Sequence, residues 1–150
     1  MFAAAASGLT MVSIDPAVSD AAAVREILAQ NKCKTLVYSG REDAVELLEK
    51  AVPNFAEYKS RVARPFYDPV APDLKFFVSI GLDMQPASYN YQHMLAYHDQ
   101  EPLTYAVPDT ALLAVAYDAK GARTEYTHAA AIDGAFPALN AVLKKQHAVF

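Results

Sequence analysis

Two short apolar runs, LTMVSID at residues 9–15 and TLVYSG at residues 35–40, each give way within a few residues to a stretch with a helical period. That alternation constrains the fold more than any other feature, because strand, helix, strand units pack most readily as parallel strands joined by right-handed crossovers. The first run closes on Asp15-Pro16, a pair that ends strands and opens turns. Ser19-Asp20 then offers an N-cap, and Val24, Ile27 and Leu28 fall on one face of a helix reaching about Asn31. Lys32 and Lys34 interrupt with charge, and the second run reads as another buried strand. Ser39-Gly40 leads into EDAVELLEKAV, where Val45, Leu47, Leu48 and Val52 supply a core face while Glu42 and Asp43 meet the dipole of the helix start.

A third strand, LKFFVSIG at residues 74–81, follows a connection carrying Pro53, Pro65, Pro69 and Pro72, with one short helix around residues 55–60. Residues 83–109 are the least regular part: Pro86, Pro102 and Pro108 surround ASYNYQHMLAYH, which has room for one short helix near residues 91–97. Further on, AVAYDAKGARTEYTHAAA reads as a strand, a tight turn around Lys120-Gly121, a second strand and the start of a helix over residues 128–146, kinked near 134–137. The expected fold is therefore α/β: a mostly parallel sheet with flanking helices, plus a β-hairpin and a C-terminal helix, in a single domain over residues 1–150.

At 150 residues the chain is long enough to bury about two thirds of its unfolded surface. Hydrophobic residues make up 53% and charged residues 20%, apolar for so small a protein, and the excess is expected to face a partner. The net charge is −4 and the basic residues are scattered from Arg25 to Arg64 and beyond rather than gathered in a stripe, which disfavours nucleic acid as a ligand. The single cysteine, Cys33, has no internal partner for a disulfide and reads as a small buried apolar residue. The longest clean apolar runs, such as ALLAVAY at residues 111–117, fall far short of the roughly 20 residues a bilayer needs. The N-terminal stretch has no basic residue before Arg25, so it matches neither a secretory signal nor an Arg-rich transit peptide, and the compartment stays open.

No GxxxxGK[ST] or GxGxxG occurs among the five glycines, which removes the P-loop class, and Ser79 in VSIGLD has glycine on one side only, a plain strand position rather than a nucleophile. The four histidines, His93, His98, His128 and His147, show no pair four apart and no HExxH, so their spacing gives a metal no support. Tyr89, Tyr91, Tyr97 and Tyr105 offer an aromatic wall for a flat ligand; with nine tyrosines in the chain, packing and interface roles are the plainer reading. Ser39-Gly40-Arg41 stands where α/β sheets place anions, at a strand's carboxyl end beside a helix N-terminus, but Glu42 and Asp43 already occupy that electropositive position.

Taken in order, ASGLTMVSIDP, REILAQNKCKTLVYSG, ELLEKAVPNF, VAPDLKFFVSIGLDMQPASYNYQHML and VPDTALLAVAYDAKGARTEYTHAAAI resemble the N-terminal domain of the adenylate-forming superfamily, the acyl-CoA synthetases and their AMP-binding relatives. The resemblance implies that a phosphate-gripping loop, rich in Ser, Thr and Gly, should lie between Ala116 and Thr127. This chain has Tyr117-Asp118-Ala119-Lys120-Gly121-Ala122-Arg123-Thr124-Glu125 there, with one glycine, few hydroxyls and two carboxylates that repel a triphosphate. The adenine and ribose contacts, the magnesium-holding acid and the catalytic lysine of relatives lie beyond residue 150, so the resemblance carries over no catalytic, cofactor-binding or metal residue.

What the resemblance implies is a pseudoenzyme: a non-catalytic structural or accessory subunit, without a cofactor, held by other protein subunits of a larger complex. Metabolic folds are known to be recruited into large membrane-associated assemblies, mitochondrial respiratory-chain and ATP synthase complexes among them, so the mitochondrion, or otherwise the cytoplasm, is the expected setting. The alternative is a ligand-binding pseudoenzyme that keeps part of an acyl-CoA or nucleotide pocket.

Overall fold

The computed structural model describes residues 8–58, 66–81, 85–96 and 107–130. They fall into two compact units, one formed by residues 17–100 and the other by residues 1–16 together with 101–150.

In the unit of residues 17–100, helix α1 (Ala21–Gln30) begins where the sequence places it. The Asp20 carboxylate accepts the Ala22 N–H at 2.9 Å, and Val24, Ile27 and Leu28 are buried on one face. Its end is a left-handed cap: Lys32, at φ +48°, donates its N–H to Ala29 O, and the Cys33 N–H reaches Leu28 O. Strand β2 (Thr35–Ser39) follows, then α2 (Glu42–Ala51), which packs on α1 and β2. Arg25 of α1 reaches the carboxyl end of α2, donating from Nε to Ala51 O at 2.8 Å and from Nη2 to Lys50 O at 2.9 Å, so a cation sits at the negative pole of that helix. The short helix α3 (Asn54–Tyr58) is capped from far along the chain by buried Asp68, whose carboxylate accepts the N–H groups of Asn54 and Val70.

Strands β3 (Phe76–Ile80) and β4 (Tyr89–Asn90) complete a parallel sheet in the order β2-β3-β4, and α4 (Tyr91–Ala96) leaves directly from β4. Thr35 stands opposite Phe76 and Ser39 opposite Ile80, while β4 meets β3 only at Val78 and Ser79. Because side chains alternate along a strand, Phe77 and Ser79 share one face with Leu36, Tyr38 and Asn90. The core lies on that side: the rings of Phe55 and Phe77 meet at a tilt with centroids 4.6 Å apart, Phe66 meets Phe77 edge-on at 4.7 Å, and Leu74, Val52 and Ala51 are buried with them.

In the other unit, β1 (Met11–Ile14) runs parallel to β5 (Leu112–Tyr117), and β5 pairs antiparallel with β6 (Arg123–Thr127) in the expected hairpin. Thr10 Oγ1 donates to Leu112 O and the Asp15 N–H to Tyr117 O, tying both ends of β1 to β5. A helical turn, α5 (His128–Ala130), starts at the predicted place, with Thr127 Oγ1 accepting the Ala130 N–H. The remainder of the expected C-terminal helix lies outside the described residues.

The α/β class holds, with parallel pairing at β1–β5, β2–β3 and β3–β4. Two expectations are corrected. The single sheet is replaced, among the described residues, by two three-stranded sheets, because β1 pairs with β5 rather than with β2. Strand β2 is not buried on both faces: Thr35, Val37 and Ser39 are exposed, and only Leu36 and Tyr38 turn inward. An apolar run reads the same whether one face or both are covered, and tertiary packing decides between them.

Candidate functional site

The hairpin turn is the first place to look, since it occupies the position at which the family resemblance puts a phosphate loop. It is closed by its own carboxylate. Asp118 Oδ1 accepts the N–H groups of Lys120 and Ala122, both at 2.8 Å, while the Gly121 N–H donates to Asp118 O and the Asp118 N–H to Ala122 O. Gly121, at φ +80°, supplies the left-handed residue that this tight loop needs. Arg123 is ion-paired with Glu125, two residues along the same strand. The amides an anion would use therefore already point at an anion that belongs to the chain. An incoming phosphate would have to displace that carboxylate and approach its charge.

The turn at Ser39-Gly40-Arg41 is likewise internally connected. The Gly40 N–H donates to Ile80 O, Gly40 O accepts from Gln85 Nε2, and Arg41 pairs with Asp43 at 2.7 Å with both side chains exposed. Ser79 is fully buried, and its Oγ has no hydrogen-bond partner among the described residues. Among the histidines, His93 lies on α4 and His128 opens α5, whereas His98 and His147 fall outside the described residues. No group of three metal-ligating side chains forms among the described residues, and no helix there is long and apolar enough to cross a membrane. Cys33 is unpaired and half-buried, and burial pushes its thiol pKa up, away from the reactive thiolate form.

A second region is foreseen in the sequence only through Tyr89 and Tyr91. The face of the β2-β3-β4 sheet opposite the aromatic core carries Val78, buried at its centre, and around it Val37, Phe76, Ile80 and Tyr89, which are 53, 49, 52 and 58% exposed. Tyr91, Met94 and Leu95 of α4 are exposed as well. Beside this face, where Phe76 and Phe77 precede the stretch paired by β4, lies a cavity of about 350 Å³. It lies at the edge of β3: Phe76 and Tyr89, with ring centroids 6.4 Å apart, border it from the outer face, and Tyr58 and the buried Phe66 and Phe77 border it from the core side. Lys75 and Ala87 complete the described lining, Ala87 at a φ of +60° that side chains rarely adopt. The ammonium of Lys75 donates to Pro72 O and stands 5.7 Å from the centre of the Tyr67 ring.

Of the four tyrosines singled out in the sequence, Tyr89 lines this cavity, Tyr91 is exposed on α4, and Tyr97 and Tyr105 fall outside the described residues. The phenylalanines of the cavity gave no signal of their own, being scattered between a proline-bearing connection and a strand that reads as core. The chain matches no known family model and no curated protein.

Proposed function

We propose that this protein is a non-catalytic accessory module, a pseudoenzyme of acyl-CoA synthetase-like ancestry that joins a larger protein assembly. The observation that carries the reading is the apolar sheet face of Val37, Phe76, Ile80 and Tyr89, of a kind that soluble proteins keep for contact. Phe76 and Tyr89, at the margins of this patch, belong to the aromatic residue type enriched at protein–protein interfaces. The closed hairpin turn supports the non-catalytic half. An adenylate-forming loop works by presenting bare amides to phosphates, and the turn at Asp118 has engaged its amides with its own carboxylate.

Two measurements test the two halves separately. Native electrophoresis of mild-detergent extracts from the source cells should place the chain in a discrete species much larger than its own 16.3 kDa. A Phe76→Ser, Ile80→Ser double variant should shift a large fraction of it to the monomer position. A wild-type chain found only as a monomer removes the accessory reading. For catalysis, thermal unfolding with ATP, AMP or an acyl-CoA should show no stabilisation, whereas a true ligand at 100 times its Kd adds about 2.7 kcal/mol.

A further inference from the structure

We infer that the free edge of β2 is a pairing surface for a second copy of this chain, the two β2 strands running antiparallel about a two-fold axis at Val37. The Phe76 N–H donates to Lys34 O and the Gly40 N–H to Ile80 O, so the even-numbered residues of β2 bond to β3. The backbone N–H and C=O groups of Thr35, Val37 and Ser39 therefore point away from β3, and β2 ends its sheet. Those three residues are also exposed. A row of donors and acceptors left in this way is a template for another strand. The other sheet edges are each blunted: β4 has two residues, β6 carries the Arg123–Glu125 ion pair, and β1 is half-buried at Met11, Val12 and Ile14. Along Thr35–Ser39 there is no proline, no charged side chain and no register shift.

Symmetry and charge identify the occupant. Val37 opposite its own copy puts Thr35 opposite Ser39 on either side, and each of these facing pairs exchanges two N–H···O bonds. The same register sets the Thr35 and Ser39 hydroxyls side by side and Val37 against Val37, pairings that stabilise sheets. Lys32 and Lys34 are exposed at the amino end of β2, and neither is ion-paired among the described residues. At the carboxyl end Asp43 offsets Arg41 at 2.7 Å, which leaves the exposed Glu42. An antiparallel copy brings each end alongside the opposite charge, whereas a parallel copy would stack lysine on lysine. A pairing of five residues is short, which makes the dimer a weak and reversible one. It does not rest on the accessory reading, because it uses the strand edge and leaves Phe76, Ile80 and Tyr89 open to another protein.

The test uses the purified full chain. Sedimentation equilibrium from about 1 to about 500 µM should show a monomer–dimer equilibrium with a Kd on the order of 10–100 µM. In a mixture of labelled and unlabelled chain, isotope-filtered NOEs should join Leu36 Hα of one copy to Tyr38 Hα of the other, the close pair in this register. Val37→Pro removes an N–H that β3 does not use and should weaken the dimer by about tenfold or more. Lys34→Glu and Glu42→Lys should each weaken it by roughly fivefold. An equimolar mixture of those two variants should recover the wild-type affinity, because every facing charge pair in the mixed dimer is again opposite in sign, and that recovery also shows that both variants fold. A chain that stays monomeric at the highest concentration would overturn the pairing. A dimer whose NOEs set β2 parallel or leave it out, or a mixture no tighter than its components, would do the same. The extract experiment on the accessory reading is untouched by any of these results.

Discussion

The hairpin turn at Asp118 and the outer face of the β2-β3-β4 sheet treat their surroundings in opposite ways. The turn satisfies its polar groups locally: three amide donors within five residues find Asp118 as acceptor, and the nearest arginine finds Glu125. The sheet face leaves half-exposed phenylalanine, isoleucine, valine and tyrosine side chains without cover among the described residues. A glycine-poor turn has little left to offer an anion, whereas an uncovered apolar face gains free energy from anything that removes it from water. What reads from the sequence as the candidate site is therefore chemically closed, and what reads as ordinary strand is open.

The contrast is sharpest at two neighbours in β3. Phe77 is buried in the aromatic core and Phe76, one residue earlier, points to the open face. Phe77→Ala should cost about 3–5 kcal/mol in chemical denaturation, since it leaves a cavity among Phe55, Phe66 and Tyr58. Phe76→Ala should cost less than about 1 kcal/mol in the isolated chain, as surface truncations do. Equal losses would mean that the outer face is covered too, and the idea of an uncovered face would fail.

Asp118 tests the other region. Asp118→Ala removes the acceptor for two turn amides and should lower stability by about 1 kcal/mol, while Asp118→Asn, which keeps one carbonyl oxygen, should lower it by about half as much. Neither variant should gain ATP affinity, because the turn still lacks the flexible backbone that lets several amides converge. ATP binding by the wild-type chain, with the amide signals of Lys120 and Ala122 moving on titration, would erase the difference between the two regions.

The features that were legible in the sequence depend on neighbours in the chain. The Asp20 cap, the Val24, Ile27 and Leu28 face and the hairpin around Gly121 all follow from spacings of a few residues. The features that were not legible depend on distant pairing. Arg25 capping α2 and Asp68 capping α3 join positions 26 and 14 residues apart, and nothing local marks either side chain as anything but solvent-facing charge. Strand β4 escaped notice because a parallel partner needs a crossover of about a dozen residues, and residues 81–88 are fewer than that rule expects. The cavity combines α3, Phe66 and the start of β3, a meeting that the order of the chain does not announce.

A smaller effect was foreshadowed by Lys32, which holds a left-handed conformation at the end of α1 where glycine carries no side-chain penalty. Lys32→Gly should raise stability by up to about 1 kcal/mol, measured as a shift in denaturation midpoint without a change in slope. Because this cap sets the path into β2, the variant also asks whether the half-exposed pattern of that strand depends on its approach; an unchanged amide spectrum for Leu36 to Tyr38 is the expected result.

The mildest probe is Cys33, between that cap and β2. Burial raises its thiol pKa, so the folded state favours the protonated form and the unfolded state releases the proton first as pH rises. The thiol's contribution to stability is then fully present below the ordinary thiol range, about 8.5, and is lost as pH climbs through the raised folded value. The stability difference between the wild type and Cys33→Ser, which has no group titrating there, should shrink over that interval. A thiolate-selective reagent should also label folded Cys33 more slowly than a small-molecule thiol at the same pH. Labelling at the small-molecule rate would mean that water reaches the thiol as readily as in an open chain. The partial burial of the approach to β2, and the raised thiol pKa that follows from it, would then be wrong.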